Sequence, residues 1–255
     1  MHFHNNSERF RNKFSIQSKI YTLKKPPYPE IFFRYLIGEC RYLKLAWNAG
    51  NGDGYVTQKL SKHFDKVYTN EASTDQLLKK PSNKMIRYDV SSEKAHALKN
   101  NSVDLITVEH TLHWFDVKTF FAEAERVLKR YGLIACWCYK LFRVNQKVDL
   151  EIDRLYSDVL GNFWDPEIRL VETSYRTLSF PFRELRTKNF NLKTSWDFQY
   201  MISYLRTWPS VYYYTKGKGS DPIEENLERL KKAWGEPEDI KNVTWPLFIR
   251  AGHAR

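Results

Sequence analysis

The 255-residue sequence predicts an α/β fold, a mostly parallel sheet with helices on both faces and an aromatic insertion late in the chain. Three observations lead there. Short apolar runs alternate with amphipathic ones through the first half, at the spacing of βαβ units. Three of the ten glycines, Gly50, Gly52 and Gly54, crowd into five positions directly after the first apolar run. After Phe142 the alternation gives way to aromatic and proline-containing segments, with no long linker to mark an independent domain.

Taken in order, Leu43 to Trp47 reads as the first strand. Val56, Leu60 and Phe64 recur every four residues, which is helical spacing. Val67 to Thr69 and Met85 to Tyr88 are the second and third strands. Val103 to Val108, β-branched and bounded by Asn100-Asn101-Ser102, is the clearest strand of all. Val117 to Lys129 is a helix with Phe120, Phe121, Ala124 and Leu128 on one face, and a fifth strand, Leu133 to Tyr139, starts after Gly132. Parallel strands joined through helices are covered on both sides. Beyond Phe142, residues 147–162 read as a helix, Trp196 to Trp208 as an amphipathic segment, and Trp245 to Ala251 as a last apolar run.

A glycine-rich turn between a strand and a helix suits a nucleotide-like ligand. Glycine tolerates positive φ and lets backbone approach closely, and the helix N-terminus offers N–H groups. Glu71 follows Gly50 by 21 positions, at the end of the second strand, where a carboxylate can accept both hydroxyls of a ribose. The dinucleotide fingerprint is G-x-G-x-x-G, whereas Gly50, Gly52 and Gly54 run G-x-G-x-G.

That tighter form resembles motif I of class I S-adenosyl-L-methionine (SAM)-dependent methyltransferases. Trp47 to Gly54 followed by Leu60 to Val67 is similar to the family's motif I and its helix. Ser102 to Val108 and then Leu112-His-Trp-Phe-Asp116 resemble its fourth strand and following turn; Ala124 to Lys129 with Gly132 resembles the entry to strand five. Lys25-Pro-Pro-Tyr-Pro29, Phe180-Pro-Phe182, Leu205 to Val211 and Val243 to Phe248 are similar to signatures of a small-molecule branch that includes the fungal trans-aconitate methyltransferases. The likeness runs from about Tyr21 to Gly252.

The resemblance implies a seven-stranded Rossmann-like sheet. It divides the chain into an N-terminal tail over 1–20, a SAM-binding core with a lid over 21–142, a cap with late core elements over 143–240, and a final strand over 241–255. SAM would be the cofactor and S-adenosyl-L-homocysteine the product. Lys25 and Tyr28 would belong to the lid, Asn48, Gly50 and Gly52 would line the methionine part, and Glu71 would hold the ribose. Asp89, Val90 and Ser91, with Ser92 and Glu93, would flank the adenine, and Glu109 and His110 would lie beneath the sulfonium. The chain departs from the pattern at Asn48, where an acid is usual, at Lys25, where arginine is usual, and at Arg130-Tyr131-Gly132, where a tight Pro-Gly-Gly turn is usual. Those departures admit a second reading, a methyltransferase-like binding protein that has lost turnover.

A carboxylate acceptor needs no general base, whereas a hydroxyl or amine acceptor does; His113 is the nearest candidate by sequence, with packing beside Trp114 and Phe115 as the alternative. Asp104, alternating into strand four, reads as a structural hydrogen-bonding partner. Cys136 and Cys138, together with Cys40, form no CxxC pair and read as small buried residues of a reducing, cytoplasmic compartment. No His/Cys constellation has metal-ligand spacing, and no metal is expected. Lys and Arg exceed Asp and Glu by 11, which favours an anionic partner, here a small-molecule acid. The charge is dispersed and no RNA-binding motif is appended, so nucleic acid is not the expected partner and an RNA methyltransferase is the remotest reading. No apolar stretch is long enough to span a membrane. A monomer or homodimer is expected.

Overall fold

The computed structural model describes residues 26–71, 83–91 and 94–255. Lys25, Ser92, Glu93 and the tail over 1–20 lie outside the described residues.

The strands are β1 Leu45–Ala49, β2 Lys66–Glu71, β3 Ile86–Val90, β4 Val103–Glu109, β5 Leu128–Tyr139, β6 Arg183–Glu184, β7 Phe190–Trp196 and β8 Lys241–His253. Seven follow the hydrogen-bonded order β3-β2-β1-β4-β5-β8-β6, and the eighth, β7, pairs with β8. The pairs among β1 to β5 are all parallel, and β8 runs antiparallel to β5 and β6. This is the expected mostly parallel sheet with one strand more than the seven expected. The extra strand does not show as a long apolar run, because in β7 only Phe190, Leu192 and Trp196 are buried, with Thr194 between them half-buried.

The chain divides into two compact units. One comprises Tyr28–Tyr139, Arg169–Phe190 and Leu247–Arg255. Its central strand β4 is buried at every position, as a parallel strand covered on both sides must be. Helix α1 (Glu30–Gly38) buries Phe32, Phe33 and Leu36, and α2 (Tyr55–Leu60) starts from Gly54 in the left-handed region. Helix α3 (Val117–Val127) starts at Asp116, whose carboxylate accepts from Thr119 N–H at 3.1 Å, and buries Phe120, Phe121, Ala124 and Val127.

The fifth strand begins at Leu128, earlier than expected. Leu128 therefore leaves the helix, and the step from Val103↔Leu128 to Leu105↔Leu133 spans five residues on β5 against two on β4. The surplus residues bulge out through Tyr131, whose φ is 64°, and Gly132 brings the chain back. A β-carbon on Gly132 would stand 2.9 Å from Lys129 O and 3.1 Å from Val103 O. The bulge is how Arg130-Tyr131-Gly132 builds its turn without proline. Beside it, the Asp104 carboxylate accepts from the backbone N–H groups of Lys44 and Leu45, both at 2.9 Å, and from Lys129 Nζ at 2.7 Å.

The described part of the other unit is Lys140–Ile168 and Asn191–Pro246, with residues 26 and 27. The helix expected over 147–162 is shorter: α4 spans Gln146–Arg154, capped by Asn145, and passes into a wider π turn over Leu155–Val159. Helix α5 (Ile168–Glu172) follows in the chain. The amphipathic segment Trp196 to Trp208 is two elements, the end of β7 and α6 (Phe198–Leu205), because Asp197 stops the strand and caps the helix through Tyr200 N–H at 2.6 Å. Helices α7 (Pro209–Lys218), α8 (Pro222–Glu225) and α9 (Leu227–Trp234) complete it. Its core is aromatic: Trp196 lies 5.3 Å from Phe142 and 4.9 Å from Trp245, ring centre to ring centre. Among the described residues no helix is long and apolar enough to cross a membrane.

Candidate functional site

The turn after β1 uses its glycines for different reasons. Gly50 has φ 76°, and a β-carbon there would sit 2.7 Å from Thr111 Oγ1, so the close approach at Gly50 is to protein. Gly52 has φ 52°, and among the described residues nothing lies within 4 Å of where its β-carbon would stand, so the backbone there faces open space. Its N–H donates to Glu71 Oε2 at 3.0 Å. The pairing of β1 with β2 brings the carboxylate to the turn, since Gly50 and Asn51 N–H both donate to Asn70 O, one residue before Glu71. The structure thus joins Gly50, Gly52 and Glu71 in one place.

Asn48 is fully buried, and both ends of its amide are engaged: Nδ2 donates to Thr57 Oγ1 at 2.9 Å, and Oδ1 accepts from Thr107 Oγ1 at 2.9 Å. It ties β1 to α2 and β4. Thr57 Oγ1 in turn donates to Asn51 Oδ1 at 2.7 Å, and Asn51 Nδ2, buried between Gly50 and Gly52, has no hydrogen-bond partner among the described residues. Thr111 Oγ1 is likewise buried and without a partner among the described residues. Two polar atoms with unmet bonding capacity therefore belong to the turn and to the residue packed against Gly50. Buried polar groups nearly always find partners, so such atoms point to a polar ligand. Neither Asn51 nor Thr111 carries a signal in sequence strong enough to single it out; only its place inside or opposite the glycines distinguishes it.

Asp89, Val90 and Ser91 lie at the end of β3, with Glu71 opposite Val90. Asp89 accepts from the Tyr68 hydroxyl at 2.5 Å, Ser91 Oγ donates to Lys94 O, and Val90 is exposed. Burial and the Asp89 carboxylate push the Tyr68 phenol up. Tyr28 is buried in an aromatic cluster, edge-on to Trp137 at 5.9 Å and near Phe32 and Phe33. Burial drives its phenol well above the usual value.

The loop after β4 carries Glu109, His110 and His113. Glu109 is buried at the strand end. His110 has φ 48°, and its ring stacks on Tyr139 at 4.4 Å. His113 stands in a 3-10 turn, Leu112–Trp114, only 5 % exposed, with its ring 5.7 Å from that of His110. Burial first, and the neighbouring His110 second, hold His113 well below the ordinary histidine range. Its Nδ1 lies 3.3 Å from the hydroxyl of Tyr175, a residue 62 positions away that no sequence pattern connects to it. Cys136 and Cys138 are buried free thiols, and burial raises Cys136 strongly. Among the described residues no group of three His, Cys, Asp or Glu could hold a metal.

This geometry agrees with what the chain is similar to. Residues 47–136 match the methyltransferase domain family. A protein of Anaeromyxobacter dehalogenans, provisionally described as a type II methyltransferase, has a solved structure that is 34 % identical, with 90 % of this chain and 98 % of that one covered and a TM-score of 0.83. A protein of Dictyostelium discoideum, provisionally named a methyltransferase, is 29 % identical over 94 % of each chain. The YcgJ protein of Bacillus subtilis, 13 % identical over 87 % of this chain and 99 % of its own with a TM-score of 0.51, shares the fold. The chain belongs to the class I SAM-dependent methyltransferases. It is an enzyme of that class. The residues present fit the cofactor: open space at Gly52, a carboxylate beside it, and unmet polar atoms on Asn51 and Thr111.

Proposed function

We propose that this methyltransferase acts on a small anionic molecule and places the methyl group on a carboxylate, as the trans-aconitate branch it resembles does. The observation that carries the reading is the state of His113. A hydroxyl or amine acceptor must lose a proton as it is methylated, and the loop after β4 offers His113 for that task. Buried and beside His110, it is a much weaker base than ordinary histidine. Tyr28 and Tyr175, both buried, keep their protons. A carboxylate arrives already ionised at neutral pH and asks for no base. The excess of 11 positive charges favours such an acceptor.

SAM, when bound, would supply an electrophilic methyl group on a sulfonium, which a carboxylate acceptor could take without giving up a proton. In this reading Glu71 would take the ribose hydroxyls, Asn51 Nδ2 and Thr111 Oγ1 would meet the aminoacyl end beside Gly52, and Asp89 to Ser91 would flank the base. Asn48 acts from within, holding β1, α2 and β4 in register. The protein's contribution is alignment and exclusion of water. Incubating the protein with methyl-labelled SAM and a panel of di- and tricarboxylic acids, with phenols and amines lacking carboxylates alongside, tests it. Label is expected in alkali-labile esters. Label found only in the phenols or amines overturns the reading.

A further inference from the structure

Three residues other than glycine adopt positive φ around one imidazole. His110 (48°) precedes His113 in the same loop, and Ser174 (56°) and Tyr175 (59°) are consecutive in the turn after α5. Side chains other than glycine rarely hold that conformation, and where they do the surrounding structure imposes it. Here the restraint is visible. Tyr175 N–H donates to Leu170 O at 2.7 Å, and Arg250 Nη1 donates to Tyr175 O and to Leu178 O, both at 2.7 Å. The Arg250 guanidinium lies 4.7 Å above the Phe180 ring and its Nε donates to Glu184 Oε1 at 3.1 Å. The turn is clamped from β8, and what the clamp delivers is one hydroxyl beside His113.

That hydroxyl is placed where it can decide which nitrogen of His113 carries the proton. Tyr175 is 1 % exposed, and burial keeps its phenol protonated, with a backbone hydrogen bond from Leu112 pulling weakly the other way. A buried O–H must find an acceptor. Among the described residues the ring nitrogen within hydrogen-bonding reach of that hydroxyl is His113 Nδ1, at 3.3 Å, and it is the acceptor open to it. An imidazole held neutral has one N–H, and with Nδ1 accepting, that N–H is at Nε2.

We propose that Tyr175 is a positioning residue that donates to His113 Nδ1 and fixes His113 as the Nε2–H form, a hydrogen-bond donor rather than a proton acceptor. An imidazole in this form selects for an acceptor molecule that already carries negative charge. That consequence rests on the proposed function; the tautomer itself does not.

The full chain labelled with nitrogen-15 histidine, with no ligand added, reads the tautomer directly by long-range proton–nitrogen correlation, His113 being assigned by its loss in His113→Gln. The expected spectrum shows a pyridine-type Nδ1 and a pyrrole-type Nε2 for His113. In Tyr175→Phe the Nδ1 signal shifts toward that of a nitrogen with no hydrogen-bond donor, or the two tautomers mix, while the other histidines stay put. A protonated Nδ1 in the unaltered protein, or a Tyr175→Phe spectrum in which neither His113 nitrogen moves, overturns the proposal. Should Tyr175→Phe fail to fold, the unaltered protein still decides by which nitrogen is protonated. With an acid methylated in the labelled-SAM panel, Tyr175→Phe is expected to raise KM about tenfold, the size of one lost hydrogen bond to a charged group, with a smaller change in kcat. A panel with no methylated acid sinks the functional reading and leaves the tautomer result intact.

Discussion

Thr111 Oγ1 stands 2.7 Å from where a β-carbon on Gly50 would be, whereas among the described residues nothing lies within 4 Å of where one on Gly52 would be. The two glycines share a left-handed backbone, so alanine at either is strained by about 1–2 kcal/mol. Only at Gly50 does the new methyl also collide, which adds about 1–3 kcal/mol of overpacking. Gly50→Ala is therefore expected to lower unfolding free energy in urea by more than Gly52→Ala. Thr111→Ala should recover part of the loss in the Gly50→Ala background and nothing in the Gly52→Ala background. Additivity in both cycles would mean that Thr111 is not what Gly50 accommodates. Binding should follow the opposite order. Gly52→Ala, folded but with its open space filled, is expected to abolish the rise in melting temperature given by S-adenosyl-L-homocysteine. An undiminished rise would remove Gly52 from the cofactor site.

At the level of elements, Asp104 shows what a single carboxylate does for a parallel sheet. At 4 % exposed it accepts two backbone N–H groups at the start of β1 and the Lys129 ammonium at the bulge of β5. Asp104→Ala would strand those donors and is expected to cost about 2–4 kcal/mol, whereas Lys129→Met, removing a partner that is itself one-third exposed, should cost about 1 kcal/mol or less. Equal costs in urea denaturation would assign the effect to the ion pair instead. The sequence announces this brace only as a charged residue alternating into an apolar strand. What was legible elsewhere follows the same division. Strands β1 to β5 and the link from Gly50 to Glu71 are written in local apolar runs and in spacing along the chain. The bulge at Tyr131, the π turn after α4 and the strand β7 are not. The bulge and β7 depend on partners distant in sequence, Val103 opposite Leu128 and Phe142 against Trp196. The contact of Tyr175 with His113 is the extreme case, because a clamp from Arg250 makes it and no periodicity records it.

For the molecule as a whole, one buried neutral histidine ties global stability to pH. In the unfolded chain His113 titrates near 6.5; in the folded protein it takes up a proton only at much lower pH. Above the unfolded value both states are deprotonated and His113 adds no pH dependence. As pH falls below it the unfolded chain binds one more proton than the folded one, so stability drops, approaching about 1.4 kcal/mol per pH unit until the folded value is reached. Two other trends run the same way. Glu123 and Glu151, held low by Arg126 and Arg229, lose their contribution when protonated, and the net charge of +11 grows as histidines ionise, increasing self-repulsion. The slope of the unaltered protein alone cannot then isolate His113, but His113→Gln can, since glutamine does not titrate and leaves the other groups in place. Whatever its cost at pH 7.5, the variant should regain about 1.4 kcal/mol relative to the parent between pH 7.5 and 5.5, read as converging urea midpoints, because one proton's linkage has been removed. Parallel curves over that range would mean that His113 is protonated equally in both states, and the weak base on which the carboxylate reading stands would be gone.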